Sequence, residues 1–159
     1  MTGVGPDIFR QLLGRFATGV TVLTTRRADG TPVGMTASSV ASVSLHPPLL
    51  LVSVSQENDM HGALLEAGYF AVNVLSADQE SLSRRFAEDA PDRFRGVSFR
   101  EGAHGLPILE GVVATIECEK HSVAPEGDHT VFFGLVIGGV SNDRRPLLYY
   151  RGGYSGLRE

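Results

Sequence analysis

Residues 34–48 read Gly34-Met35-Thr36-Ala37-Ser38-Ser39-Val40-Ala41-Ser42-Val43-Ser44-Leu45-His46-Pro47-Pro48, an extended run of small hydroxyl and alanine residues closed by a rigid double proline. A second Val/Ser run, Leu49 to Ser55, follows at once. Thr, Ala and Ser cover little apolar area, so strands built from them fill a core poorly. They suit a place where a flat ligand lies along the backbone and takes hydrogen bonds from hydroxyls and amides. The same residues are compatible with a solvated edge strand that carries no chemistry, because strand propensity depends strongly on context. Proline donates no ladder hydrogen bond, so Pro47 and Pro48 stand at or before the start of the next strand.

Upstream, Asp29-Gly30 is a tight-turn signal that predicts a hairpin between a strand at 20–25 and one running from Val33 to Leu45. In the first of these, Val20, Val22 and Thr24 alternate with Thr21, Leu23 and Thr25, the pattern of a half-buried strand. Pro6-Asp7 ahead of Ile8, Leu12, Leu13 and Phe16 predicts a helix with proline in its first turn. Downstream, short helices are expected over 61–67 and 79–86, with a strand at 70–75 between them. Residues 88–107 hold Pro91, Gly96, Gly102, Gly105 and Pro107 and read as a long excursion with little regular structure. From Gly111 the pattern is β. Val112, Ala114, Ile116 and Cys118 face one way, and Thr115, Glu117 and Glu119 the other, where carboxylates are ordinarily solvated. A turn at Pro125-Glu126-Gly127-Asp128 precedes the alternating Val131, Phe133, Leu135 and Ile137, and Leu147 to Tyr150 is a last strand. Many strands with hairpin connections and a few short helices predict a mostly β antiparallel barrel.

At 159 residues, with 42% hydrophobic and 20% charged side chains, the chain reads as a single globular domain spanning 1–159. A net charge of −4 gives a nucleic-acid role no electrostatic footprint. Cys118 is the only cysteine, which suits a reducing compartment. No apolar run has membrane-spanning length, and the first residues lack the charged-then-apolar layout of a signal peptide. A cytoplasmic protein with no membrane partner is the expectation. Gly3 and Gly5 open no strand–turn–helix unit, so there is no dinucleotide fingerprint. His46, His104 and His121 show no zinc-like spacing, and no Gly-x-Ser-x-Gly elbow occurs.

Five segments in order carry a resemblance: Phe16-Ala17-Thr18-Gly19-Val20-Thr21-Val22, the stretch from Gly34, Phe70-Ala71-Val72-Asn73-Val74-Leu75, Gly127-Asp128-His129-Thr130 with Phe132 and Gly134, and Pro146-Leu147-Leu148-Tyr149-Tyr150-Arg151-Gly152-Gly153-Tyr154. Together they resemble the flavin reductase family with the FMN-binding split-barrel fold, a Greek-key antiparallel barrel. The resemblance implies an NAD(P)H:flavin oxidoreductase that uses FMN or FAD with NADH or NADPH. It also implies a homodimer that supplies reduced flavin to a partner monooxygenase. It places Thr36, Ala37, Ser38 and Ser39 along the flavin, with Val52, Ser53, Val54 and Ser55 on the adjacent strand. The segment Gln56-Glu57-Asn58-Asp59-Met60-His61 then meets the flavin phosphate, with Asn58 and His61 as donors and a helix N-terminus to help. Relatives tend to have serine and threonine where this chain has Glu57 and Asp59, and a carboxylate repels a phosphate. Arg85, next to Phe86, is the expected compensating charge, although a surface arginine on an amphipathic helix reads the same way. The resemblance also sets His129 against the nicotinamide as the residue closest to catalysis, with Arg151, Gly152 and Tyr154 approaching the dinucleotide. Two rivals share the fold: a flavin carrier or sensor without turnover, and an oxidoreductase that keeps FMN permanently bound and acts on another substrate.

Overall fold

The computed structural model describes residues 2–158, beginning with helix α1 (Pro6–Leu13), where Pro6 sits in the first turn and needs no N–H partner. Strands β1 (Thr18–Gly19) and β2 (Thr21–Arg26) follow. The Asp29-Gly30 turn then leads to β3 (Pro32–Ala37), with Gly30 at φ 86° as a tight turn requires. Next come β4 (Val40–Leu45), β5 (Pro48–Ser55) and α2 (Asp59–Glu66). After β6 (Tyr69–Val74) and α3 (Glu80–Ala87), the chain forms a small hairpin of β7 (Phe99–Glu101) and β8 (Pro107–Leu109). Two long strands, β9 (Ala114–Glu126) and β10 (His129–Ser141), and the short β11 (Leu147–Tyr150) and β12 (Gly153–Gly156) complete it.

Seven strands form one antiparallel sheet in the order β3-β2-β6-β9-β10-β5-β4. Its two outermost strands are consecutive in the chain and joined only by Ser38 and Ser39. The sheet therefore curls until its edges meet at that corner, which makes a split barrel. Leu23, Val52, Val54, Phe70, Val72 and Phe132 fill the core with Met60 and Leu64 of α2. A second cluster joins Val20, Val22, Leu75, Leu109 and Leu147 to Phe86 of α3.

That second cluster corrects the reading of β2. The strand is buried along both faces rather than half-buried, because Leu23 points into the first cluster while Val20 and Val22 point into the second. Its buried threonines stay satisfied: Thr24 Oγ1 donates to Pro107 O at 2.5 Å and Thr25 Oγ1 to Tyr69 O at 2.7 Å. Other expectations shift as well. The single strand expected over 33–45 breaks at Ser38-Ser39 into β3 and β4. In β10 the buried set is Thr130, Phe132 and Gly134, not the Val131, Phe133, Leu135 set. A Cβ at Gly134 would lie 2.6 Å from Phe70 Cζ and 2.8 Å from Cys118 Cβ, so the strand crosses β9 there only as glycine. Glu117 is buried, because the 102–103 backbone folds over it and Ala103 N donates to its Oε2 at 2.8 Å.

Candidate active site

The corner between β3 and β4 is tied down on three sides. Thr21 Oγ1 of β2 donates to Ala37 O at 2.7 Å. Thr36 Oγ1 donates to Ser83 O of α3 at 2.6 Å. Ser39 Oγ donates to Ser53 O at 2.7 Å, and Ser53 N donates to Ser39 O at 3.3 Å. Ser38, between these anchors, is exposed. The corner is thus a fixed backbone edge with one outward hydroxyl.

Antiparallel register carries this edge toward His129. Ser53 lies opposite Val131 and Ser55 opposite His129, so Ser53, Ser55 and His129 share the outer face of the β5–β10 pair. The alternate residues Val52 and Val54 are 0% exposed and belong to the core. Of these two residues, only the backbone can meet a ligand. The His129 ring is half-exposed, with Nδ1 2.7 Å from Asp128 Oδ1. An ionised carboxylate only accepts, so Nδ1 carries the proton and Nε2 is left for another partner. The hydrogen bond from His129, followed by its charge, holds the Asp128 carboxyl below its ordinary range. Gln56 fastens the hairpin tip, donating from its amide N to Asp128 O at 3.0 Å and from Nε2 to His129 O at 3.2 Å.

Beyond Ser55 lies a cavity of about 250 Å³ lined by Ser55, Glu57, Asn58, Asp59, Ala87, Asp89 and Arg93. Asn58 caps α2, its side chain accepting from Met60 N at 2.9 Å. Asp59 is neutralised from two sides, by Arg27 at 3.4 Å and Arg93 at 3.2 Å. Arg93 is the cation of this cavity and only 7% exposed, with its guanidinium also donating to Gly34 O at 2.8 Å and Glu88 O at 2.7 Å. Gly34 allows this approach, since a Cβ there would sit 2.9 Å from Leu23 O and 3.0 Å from the Phe86 ring.

Three residues expected at the flavin do not line this cavity. Arg85 points to the 88–96 segment, donating to Arg93 O at 2.6 Å and to Arg95 O, and holds that loop rather than lining the cavity. Phe86 is 1% exposed and packs in the second core cluster, so its side chain has no surface for a ligand. His61 turns to the core face, with Nε2 2.8 Å from Thr130 Oγ1 and its ring edge-on to Phe132. Arg93 was not legible in the chain. It stands in a loop-like segment among several arginines, and no local pattern separates it from them.

The hairpin of β11 and β12 brings up the remaining residues. Arg151 at φ 52° and Gly152 at φ 79° form its two-residue tip, the conformation that favours such hairpins. Arg151 N donates to Gly14 O at 2.9 Å, which docks the tip on the end of α1. Tyr154 OH lies 2.8 Å from Ser83 Oγ, and the Arg84 guanidinium sits 4.8 Å above the Tyr154 ring. Through Ser83, Tyr154 and Thr36 are therefore neighbours, although they belong to different sheets.

The flavin reductase like domain family matches residues 13–158. The chain belongs to the flavin reductase family. It is 43% identical over 155 residues to the reductase subunit HsaB of a flavin-dependent monooxygenase from Rhodococcus jostii, covering 97% of this chain and 79% of that protein. A probable flavin reductase from Rhizobium meliloti is 43% identical over 94% of this chain, which spans only 48% of that relative's length. Among solved structures, the Streptomyces globisporus NADH:FAD oxidoreductase SgcE6, in complex with NAD and FAD fragments, superimposes with a TM-score of 0.91 at 39% identity, covering 99% of this chain and 98% of that one. The protein is an NAD(P)H:flavin oxidoreductase of split-barrel fold, with a flavin and a nicotinamide nucleotide as its cofactors. Its residues fit these groups. The Ser38 corner offers hydroxyl and backbone partners for a ring edge. The cavity beside Ser55 offers a phosphate the Arg93 guanidinium, shared with Asp59 and Asp89, and the first turn of α2, with Glu57 as an opposing charge.

Proposed function

We propose that this reductase binds FMN or FAD along Thr36 to Ser39 and the outer face of β5, and takes NADH or NADPH on the side of His129. The supporting observation is the register that sets His129 opposite Ser55 on the strand already bonded to the Ser39 corner. Bound flavin and nucleotide would themselves supply the chemistry, hydride transfer from nicotinamide C4 to flavin N5. The chain positions the rings and excludes water. Backbone and hydroxyl groups of residues 36–39 would fix the ring edge. Ser55, Asn58 and Arg93 would hold the phosphate, with Asp59 kept from repelling it by Arg27 and Arg93. His129 Nε2, left unclaimed by Asp128, would orient the nicotinamide, and Arg151, Gly152 and Tyr154 would contact the rest of the dinucleotide.

The reading extends to a single-domain cytoplasmic protein that delivers reduced flavin to a partner monooxygenase, a role in keeping with the name of its Rhodococcus relative. It extends to a homodimer too. The apolar side chains Ile8, Phe9, Leu12, Leu13 and Phe16 in and after α1 are each more than half exposed. An apolar concavity of about 610 Å³ opens beside β4, with Val40, Leu45, Leu49 and Val136 in its lining. Contiguous apolar surface of this kind marks an interaction site. Among the described residues, no helix is long and apolar enough to cross a membrane.

A steady-state assay of the four flavin and nucleotide combinations tests the activity. NAD(P)H oxidation that depends on added flavin is the expected result, and no turnover above the flavin-free blank in any combination would overturn it. Yellow colour that survives dialysis would favour either rival, the flavin carrier or the oxidoreductase with permanently bound FMN.

A further inference from the structure

Ser83 is fully buried on α3 and carries two hydrogen bonds that leave it in different directions. Its carbonyl accepts from Thr36 Oγ1 at 2.6 Å, on the strand assigned above to the flavin. Its hydroxyl meets Tyr154 OH at 2.8 Å, on the hairpin assigned to the nucleotide. These two strands sit in separate sheets, so a buried helix residue spans the gap between them. Tyr154 is held in one pose around this bond. Arg84 caps its ring at 4.8 Å and is itself gripped by Glu80 through contacts of 2.7 and 2.9 Å, while Tyr149 packs edge-on at 5.3 Å.

We propose that Ser83 is a positioning residue for hydride transfer, setting the separation of the flavin strand from the nucleotide hairpin by bonding Thr36 and Tyr154 at once. The proposal rests on the assignment of those two elements made above. Hydride transfer requires the donor and acceptor carbons and nitrogens at near-attack distance, and an error of about 1 Å is enough to slow it severely. A hairpin tied to the flavin strand through one buried residue holds that distance more tightly than two elements packed separately. Neither bond touches a reacting atom. Loss of the Ser83 hydroxyl therefore acts on the nucleotide side, because the Thr36 bond is to the Ser83 backbone and survives truncation.

The test compares Ser83→Ala, Tyr154→Phe and the double variant in full-length protein. Flavin dissociation constants come from fluorescence titration, and KM for NAD(P)H and the flavin reduction rate from steady-state and stopped-flow assays. Each single variant is expected to raise the nucleotide KM or lower the reduction rate about three- to tenfold, the scale of one lost neutral hydrogen bond, while leaving flavin affinity within about twofold. The double variant should be no worse than either single one, since both remove the same bond. Additive losses, or nucleotide parameters unchanged in both single variants, would overturn the proposal. Should Ser83→Ala fold poorly, Ser83→Cys, which fills the same space but weakens the bond to Tyr154 OH, gives the nucleotide readout without altering Tyr154. Wild-type protein without flavin-dependent NAD(P)H oxidation would instead refute the underlying reading, before any variant is compared.

Discussion

His129 earns its place from the residue that precedes it. Asp128 accepts a hydrogen bond from Nδ1, and because the folded Asp128 carboxyl is held below its ordinary value, the sign of the effect is clear. The contact is present above the unfolded carboxyl value of about 3.9 and is lost only as pH falls through the lower folded value. The contact that orients His129 is therefore present in any neutral assay. His129→Ala should slow flavin reduction by about ten- to a hundredfold and leave flavin affinity nearly intact, as stopped-flow reduction beside a flavin titration would measure. Wild-type rates in the variant would make His129 structural. The Gly-Asp-His segment was legible in the chain, and so were two roles for Asp128, orienting the ring or closing the turn; the choice between them was not, because an aspartate in a turn commonly bonds backbone. Cys118 gives a second residue-scale prediction. Burial pushes its thiol up to about 12, so the thiol stays protonated at neutral pH. A raised folded value stabilises fully below the unfolded thiol value of about 8.5, and that contribution is lost as pH rises toward the folded one. Native protein should resist thiol reagents at pH 8. Its stability to denaturant should fall between pH 8.5 and 10 by up to about 1.4 kcal/mol per pH unit from this group, a slope absent in Cys118→Ala.

At the scale of elements, the corner between β3 and β4 separates two serines that look alike in the chain. Ser39 spends its proton on Ser53 O and helps close the barrel, whereas Ser38 faces outward. Ser39→Ala should cost about 1 kcal/mol in thermal or denaturant stability, and Ser38→Ala should weaken flavin binding several-fold at unchanged stability. Equal flavin constants for Ser38→Ala and wild type would return that corner to a solvated edge. The α2 entrance gives the other element-scale test. Glu57 and Asp89 line the cavity proposed for the phosphate, and Arg93 is already engaged by Asp59 and, at 3.7 Å, by Asp89. Removing charge with Glu57→Gln and Asp89→Asn should tighten FMN about three- to tenfold and leave riboflavin, which lacks the phosphate, unchanged. Fluorescence titration of both ligands decides it. Strand identities were legible from alternation and the Asp29-Gly30 and Gly127-Asp128 turns, because period-two patterning and turn chemistry are local. Which face of β10 was buried, and where the 33–45 run broke, were not. Those depend on α2 packing beneath Phe132 and on the two barrel edges meeting, contacts that no short window contains. Arg93 and Ser83 escaped for the same reason, since each acts on strands more than 40 residues distant.

For the whole molecule, the exposed apolar face of α1 and the concavity beside β4 are the surfaces that the proposed homodimer would cover. Light scattering at micromolar concentration should give a dimeric mass, and Phe9→Asp with Leu12→Asp should shift it toward the monomer, since charges on a buried apolar face are costly. A wild-type monomer would count against this reading. The split barrel itself supplies a fixed strand corner, an outward histidine and a docked hairpin, without any nucleotide-binding fingerprint. Everything then turns on whether the chain passes a hydride between two cofactors. The direct measurement is anaerobic stopped-flow mixing of the flavin-loaded protein with NADH or NADPH, following loss of the oxidised-flavin absorbance. The flavin should be reduced by at least one of the two nucleotides, with one nucleotide oxidised for each flavin reduced. Flavin that stays oxidised with both, while still bound, would contradict the account.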